Sequence, residues 1–126
     1  MSALSRCVIL VVAAAAACGR DDEYAHVVDG GNAERGRVAI RAFGCGSCHT
    51  IPGVRGANAF VGPNLDGIAS RSYIAGVLPN DPENMVRWLK NPQAVDNKTA
   101  MPNLNVSDRD ARDIAEYLYR LKARGE

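Results

Sequence analysis

With 126 residues the chain has room for one domain, and its 15 Lys+Arg against 14 Asp+Glu leave a formal charge of only +1. So balanced a chain offers no basic surface for nucleic acid. Its two histidines and four cysteines are few enough to be weighed one by one.

The N-terminus reads as an export signal: Arg6 stands in a short n-region, residues 8–17 (VILVVAAAAA) are uninterrupted and apolar, and small residues lead to Cys18. Ten apolar residues fall short of the roughly 20 that span a bilayer. Residues 1–17 are therefore expected to be a signal peptide, whose loss removes Cys7 and Arg6 and leaves 14 charges of each sign. The stretch AAAC resembles the lipobox of bacterial lipoproteins, with Ala15 where that family usually has Leu. The resemblance implies that Cys18 is lipidated and becomes the first mature residue. Ordinary cleavage after Ala17 is the alternative, and it would leave Cys18 as an odd thiol in an oxidising compartment. Residues 19–31 (GRDDEYAHVVDGG) are polar and acidic and read as a flexible tether of about 20 Å root-mean-square span, with His26 a solvated linker residue. The domain is assigned to residues 32–126.

Three helices are predicted within it. The first has Asn32 as N-cap and carries Ala33, Gly36, Ile40 and Phe43 on one face. The second has Asp81 as N-cap and Pro82 at its first position, buries Met85, Trp88 and Leu89, and stops at Pro92. The third opens at Ser107 with Asp110 three residues on, resembling a capping box. Its stripe is Ala111, Ile114, Ala115, Leu118 and Leu121, with Lys122 and Arg124 in the last turn, where the helix dipole favours cations. No segment alternates with a period of two, so no strands are expected. The long Gly- and Pro-scattered connections leave a thin core, of the kind that needs a disulfide, metal or cofactor as a staple.

The motif at Gly44–Gly53 (GCGSCHTIPG) offers one. C-x-x-C-H is the signature of c-type haem attachment. Cys45 and Cys48 would form thioethers to the two vinyl groups of one porphyrin, and His49, next in line, would reach the iron. Gly46 and Ser47 are small enough to let the backbone lie against the ring edge. A structural zinc site would need four ligands, and no further Cys or His exists outside the signal and tether. A thioredoxin-like dithiol fits the spacing of CGSC but belongs at a strand end in an α/β pattern, which is missing here. A local disulfide would leave His49 unexplained.

A haem iron with one histidine has a sixth position open. Met1 leaves with the signal, and Met85 sits on a helix stripe where core packing accounts for it. Met101, in the loop KTAMPNL and stiffened by Pro102, is the expected second ligand. His/Met ligation raises the reduction potential, and six-coordination closes the iron to oxygen and peroxide.

From Gly36 to Leu121 the chain resembles the class I cytochromes c, small all-α proteins of three to four helices wrapped around one covalently bound haem c. CGSCH matches the haem-binding motif, and GPNLDG (62–67) looks like the loop whose proline carbonyl, here that of Pro63, accepts a hydrogen bond from the proximal histidine. The resemblance implies that Arg71 and Tyr73 stand near the haem propionates and that Trp88 packs over the ring on the methionine side. It places Lys98 and Thr99 just before the ligand, and it implies that the terminal helices cross closely at Gly36. The segment from Arg71 to Pro102 is similar to cytochrome c domains fused to subunit II of haem–copper oxidases and to related membrane-anchored carriers.

These readings converge on an exported one-electron carrier on the periplasmic side of a bacterial membrane, held there by lipid on Cys18. It would serve respiratory complexes as electron donor and acceptor, with a terminal oxidase the plausible acceptor. It is expected not to be an enzyme. The alternatives are an electron-transfer subunit of a larger oxidoreductase complex and a haem peroxidase or sensor with a labile methionine. With only three lysines, docking is expected to use an apolar rim near Ile51, Pro52, Val54 and Pro102 rather than a lysine ring.

Overall fold

The computed structural model describes residues 27–121. The expected signal peptide, Cys18, His26 and most of the tether lie outside the described residues, as do Lys122 and Arg124. The chain folds as four helices, α1 (Ala33–Ala42), α2 (Pro82–Lys90), α3 (Pro92–Val95) and α4 (Asp108–Tyr119), with two short 3-10 turns, Cys45–Ser47 and Ile68–Ser70.

The helix starts follow the caps read from sequence. Asn32 Oδ1 accepts from Arg35 N at 2.9 Å, and Asp81 Oδ1 accepts from Asn84 N at 2.8 Å. At α4 the cap is reciprocal: Ser107 Oγ accepts from Asp110 N at 3.1 Å and donates to Asp110 Oδ2 at 2.7 Å. Pro92 ends α2, as its missing N–H requires, but it also occupies the first position of α3, which Asn91 Oδ1 caps through Ala94 N at 3.2 Å. The short α3 was not anticipated. Helix α4 closes at Arg120, one residue before the last member of the apolar stripe, and Leu121 packs against the core from beyond the helix end.

Helices α1 and α4 cross in close contact. A Cβ on Gly36 would stand 1.9 Å from the carbonyl oxygen of Asp113 and 3.0 Å from Ile114 N, so this backbone approach admits glycine alone. Beside the crossing, Asp113 is 1% exposed yet ionic. Arg35 grips it with two bonds of 2.7 Å, and Asn32 N donates to it at 2.7 Å. Burial alone would raise the Asp113 carboxyl, but the Arg35 guanidinium and the Asn32 N–H outweigh it and hold the group below its ordinary value.

Two expectations are corrected. A two-stranded antiparallel sheet exists: β1 (Tyr73–Ile74) pairs with β2 (Leu78–Pro79). The turn between them runs through Ala75 and Gly76 at φ 50° and 75°, closed by Val77 N donating to Ile74 O at 3.0 Å. Two-residue strands are too short to show an alternation. The tether, moreover, does not stay free up to Gly31. Val28 is 3% exposed and its N–H donates to Glu116 Oε2 at 3.1 Å, so the packed body includes this residue as well as Asn32.

Candidate functional site

The helices, the hairpin and the loops line an apolar cavity that opens to solvent. Its walls come from Ile40 of α1, Met85, Trp88 and Leu89 of α2, Ile114 and Leu118 of α4, Ile74 of β1, and Ile51, Leu65 and Ile68 of the segments between. Into this apolar space the chain also brings Cys45, His49, Pro63, Arg71, Tyr73 and Met101. Arg71 is the one cationic residue among the lining residues described.

The attachment segment is a tight turn. Gly44, at φ 72°, breaks away from α1, and the carbonyl of Cys45 accepts from both Cys48 N at 3.2 Å and His49 N at 3.0 Å. Cys45 and Cys48 are half-buried thiols. Burial pushes the Cys45 thiol up from its ordinary value, the reverse of what a thiol–disulfide catalyst needs. Cys48 stands just outside the cavity walls, beside Ser47 Oγ at 3.9 Å. Gly46 is indeed confined, but by Ala57: a Cβ on it would lie 2.8 Å from the Ala57 methyl.

The loop 57–67 straps itself onto this turn. Gly62 N donates to Cys48 O at 2.7 Å, and Leu65 N donates to Thr50 O at 2.9 Å. The His49 ring lies 2.7 Å from the Pro63 carbonyl through Nδ1. A carbonyl only accepts, so Nδ1 carries a proton, and in the neutral ring the lone pair is the one on Nε2. Gly62 lies directly against the ring, where a Cβ would meet Cε1 at 2.5 Å and Nδ1 at 2.7 Å. In sequence Gly62 stands out only as the first residue of GPNLDG, and its missing side chain is the signal for this close approach.

Arg71 braces the same loop by donating to the Asn64 and Asp66 carbonyls. Asn80, unremarked in the sequence, pins the neighbouring turn: Nδ2 donates to Ile68 O at 2.8 Å and Arg71 O at 2.7 Å, while Oδ1 accepts from Tyr119 at 2.8 Å. Tyr73 is 60% exposed at the cavity's edge, and Trp88, at 9%, is buried in its wall. Thr99 is not a wall residue; its Oγ1 accepts from Met101 N at 3.2 Å. Gln93 Nε2 donates to Met101 O at 2.7 Å, a contact no sequence pattern announced.

The expected docking rim is only half present. Ile51 and Val54 are core residues, 2% and 7% exposed, because Ile51 N is bonded to Ala57 O and the loop folds inward. Pro52 is half-buried and Pro102 exposed. The exposed apolar side chains nearby are instead Phe60 and Val61, 88% and 81% exposed, immediately before Gly62.

The family model for cytochrome c matches residues 33–122. The chain belongs to the cytochrome c family. It is similar to cytochrome c oxidase subunit 2 of Alkalihalophilus pseudofirmus, 31% identical over 112 residues that cover 80% of this chain and 32% of that one. The same subunit of Bacillus subtilis is 32% identical over 104 residues, covering 79% of this chain and 29% of that one. The chain thus spans about a third of the length of the curated relatives it matches. Among solved structures, cytochrome c2 from Rhodobacter capsulatus matches 71% of this chain and 97% of its own with a TM-score of 0.53. At 24% identity that likeness is one of fold. A cytochrome c is an electron-transfer protein, and membership implies haem c as the cofactor. The donor set fits that group: an imidazole, a thioether and a thiol on one apolar cavity, with a guanidinium and a phenol at hand for carboxylates.

Proposed function

We propose that the protein is an exported one-electron carrier in which Cys45 and Cys48 would bind one haem c covalently and His49 and Met101 would hold its iron. The observation that carries this reading is the His49–Pro63 bond at 2.7 Å, which makes Nδ1 the donor and so puts the neutral ring's lone pair on Nε2, at a cavity that Met101 also lines. When bound there, the haem would supply a one-electron ferric–ferrous couple, which a thioether ligand biases toward the ferrous state. The chain's own part is to orient and to exclude. Pro63 fixes the tautomer of His49, and Gly62 leaves room for its ring. Ile40, Leu65, Trp88 and Leu118, all cavity walls, would keep water from the bound group. Arg71 and Tyr73 would meet the propionates, Trp88 would pack on the ring, and Thr99 would steady the ligand loop.

The protein should be expressed in a host that matures c-type haem. Its intact mass should then exceed the polypeptide by one haem plus any acyl groups, with a low-spin spectrum and a methionine-to-iron charge-transfer band. A colourless protein of unmodified mass sinks the proposal.

Lipid on Cys18 would hold the carrier on the periplasmic side of the membrane, near respiratory complexes that donate and accept its electron, a terminal oxidase among them. Among the described residues no helix is long and apolar enough to cross a membrane. If the lipid is the anchor, Cys18→Ser should move the protein to the soluble fraction; unchanged fractionation removes the lipid anchor. A second reading, an electron-transfer part of a larger oxidase assembly, draws on the relatives' name, cytochrome c oxidase subunit 2. Co-purification with oxidase subunits from solubilised membranes favours it. Rapid peroxide turnover by the pure protein would instead favour a peroxidase.

A further inference from the structure

Met101 sits in irregular backbone between α3 and α4, so nothing like a helix face holds it in place. Its neighbours to the N-terminal side are tied mainly to each other. Asp96 O accepts from Thr99 N at 3.2 Å, Asp96 Oδ1 accepts from Lys98 N at 2.9 Å, and Thr99 Oγ1 accepts from Met101 N at 3.2 Å. All of these lie within the loop and could move with it as one piece. On the other side Pro102 has no N–H to give. Among the described residues, the bond that reaches Met101 from a neighbouring element is the one from Gln93 Nε2 to its carbonyl, at 2.7 Å, spanning eight residues. Gln93 is well founded: it belongs to α3, whose first residue, Pro92, is fully buried and whose N-terminus Asn91 caps. Since a carbonyl cannot donate, the amide must present its N–H₂ end here.

We infer that Gln93 is a positioning residue that sets how firmly Met101 stays on the iron. The inference rests on the reading of Met101 as axial ligand. A sixth ligand must leave before carbon monoxide can bind ferrous iron, so the carbon monoxide association rate reports how often Met101 departs. Losing one neutral hydrogen bond near the surface changes such an equilibrium by roughly two- to tenfold.

The test uses matured holoprotein and two variants, Gln93→Ala and Gln93→Glu. Glutamate keeps the length and shape of the side chain but, ionised, has no N–H to donate. Both variants should bind carbon monoxide about two- to tenfold faster than wild type at neutral pH, while the denaturation midpoint moves little. A shifted midpoint with an unchanged carbon monoxide rate would mean a purely structural role and overturn the inference. So would a wild-type rate in Gln93→Glu. If wild-type protein shows no thioether charge-transfer band, or Met101→Ala keeps it, the ligand assignment itself falls and the inference falls with it. The band present in wild type and lost in Met101→Ala, with rates unmoved in both Gln93 variants, overturns the Gln93 role alone.

Discussion

Gly36 and Asp113 are in backbone contact: the hydrogen of one α-carbon stands where any side chain would run into the other's carbonyl, 1.9 Å from an ideal Cβ. The obstacle is backbone inside a packed helix and cannot swing away. Gly36→Ala must therefore push α1 off α4. Overpacking typically costs about 1–3 kcal/mol, and a rigid neighbour puts this site at the upper end. For a domain of this size that is a fall in Tm of roughly 10–20 °C. Thermal unfolding of the holoprotein measures it, and a variant within 2–3 °C (~0.5 kcal/mol) of wild type would show that the crossing can open.

Gly62 makes the same point at the site. An alanine methyl would press on the His49 ring at 2.5 Å from Cε1. Because Nδ1 is pinned to Pro63 O, the ring must tilt and take Nε2 with it. Gly62→Ala should lower the yield of matured holoprotein and shift its reduction potential. Normal haem content and an unchanged potential in Gly62→Ala would refute the tilt.

Asp113 predicts a pH dependence. Its folded-state value is depressed, chiefly by Arg35 and Asn32 N working against burial, so the unfolded chain takes up the proton first. The stabilisation is therefore complete above the ordinary carboxylate value of about 4 and drains away as the pH falls through the lower folded value. Asp113→Asn should lose about 2 kcal/mol at pH 7, a hydrogen-bonded buried charge being replaced by a neutral amide. Its stability should also vary less with pH below about 4 than that of wild type. Parallel acid limbs in the two proteins would assign the acid sensitivity to other carboxylates.

Met101→Ala should lower the reduction potential, since a soft sulfur no longer favours ferrous iron, and should let exogenous ligands bind. Potentiometry and carbon monoxide titration read both. An unchanged potential would mean that Met101 only lines the cavity.

Much of this molecule can be read without coordinates where the relevant residues are neighbours along the chain. Cys45, Cys48 and His49 share one turn, closed by the carbonyl of Cys45, so their joint chemistry is a matter of spacing. Asn32, Asp81 and Ser107 cap helices through N–H groups three residues away, which is equally local. The periodic apolar faces of α2 and α4 are buried as their 3.6-residue rhythm demands.

Other features depend on segments that meet only after folding. Arg35 finds Asp113 across 78 positions and Val28 finds Glu116 across 88, and no local pattern marks either partner. Whether Ile51 faces solvent or core turned on how the loop to Ala57 closes, and whether Gln93 is an idle surface amide or a tie to Met101 turned on where α3 settles. Helix caps and ligand spacing are decided within a few residues, by backbone groups that have nowhere else to bond. Long-range pairs are decided by packing, because whole helices must dock before a side chain on one can meet its partner on another.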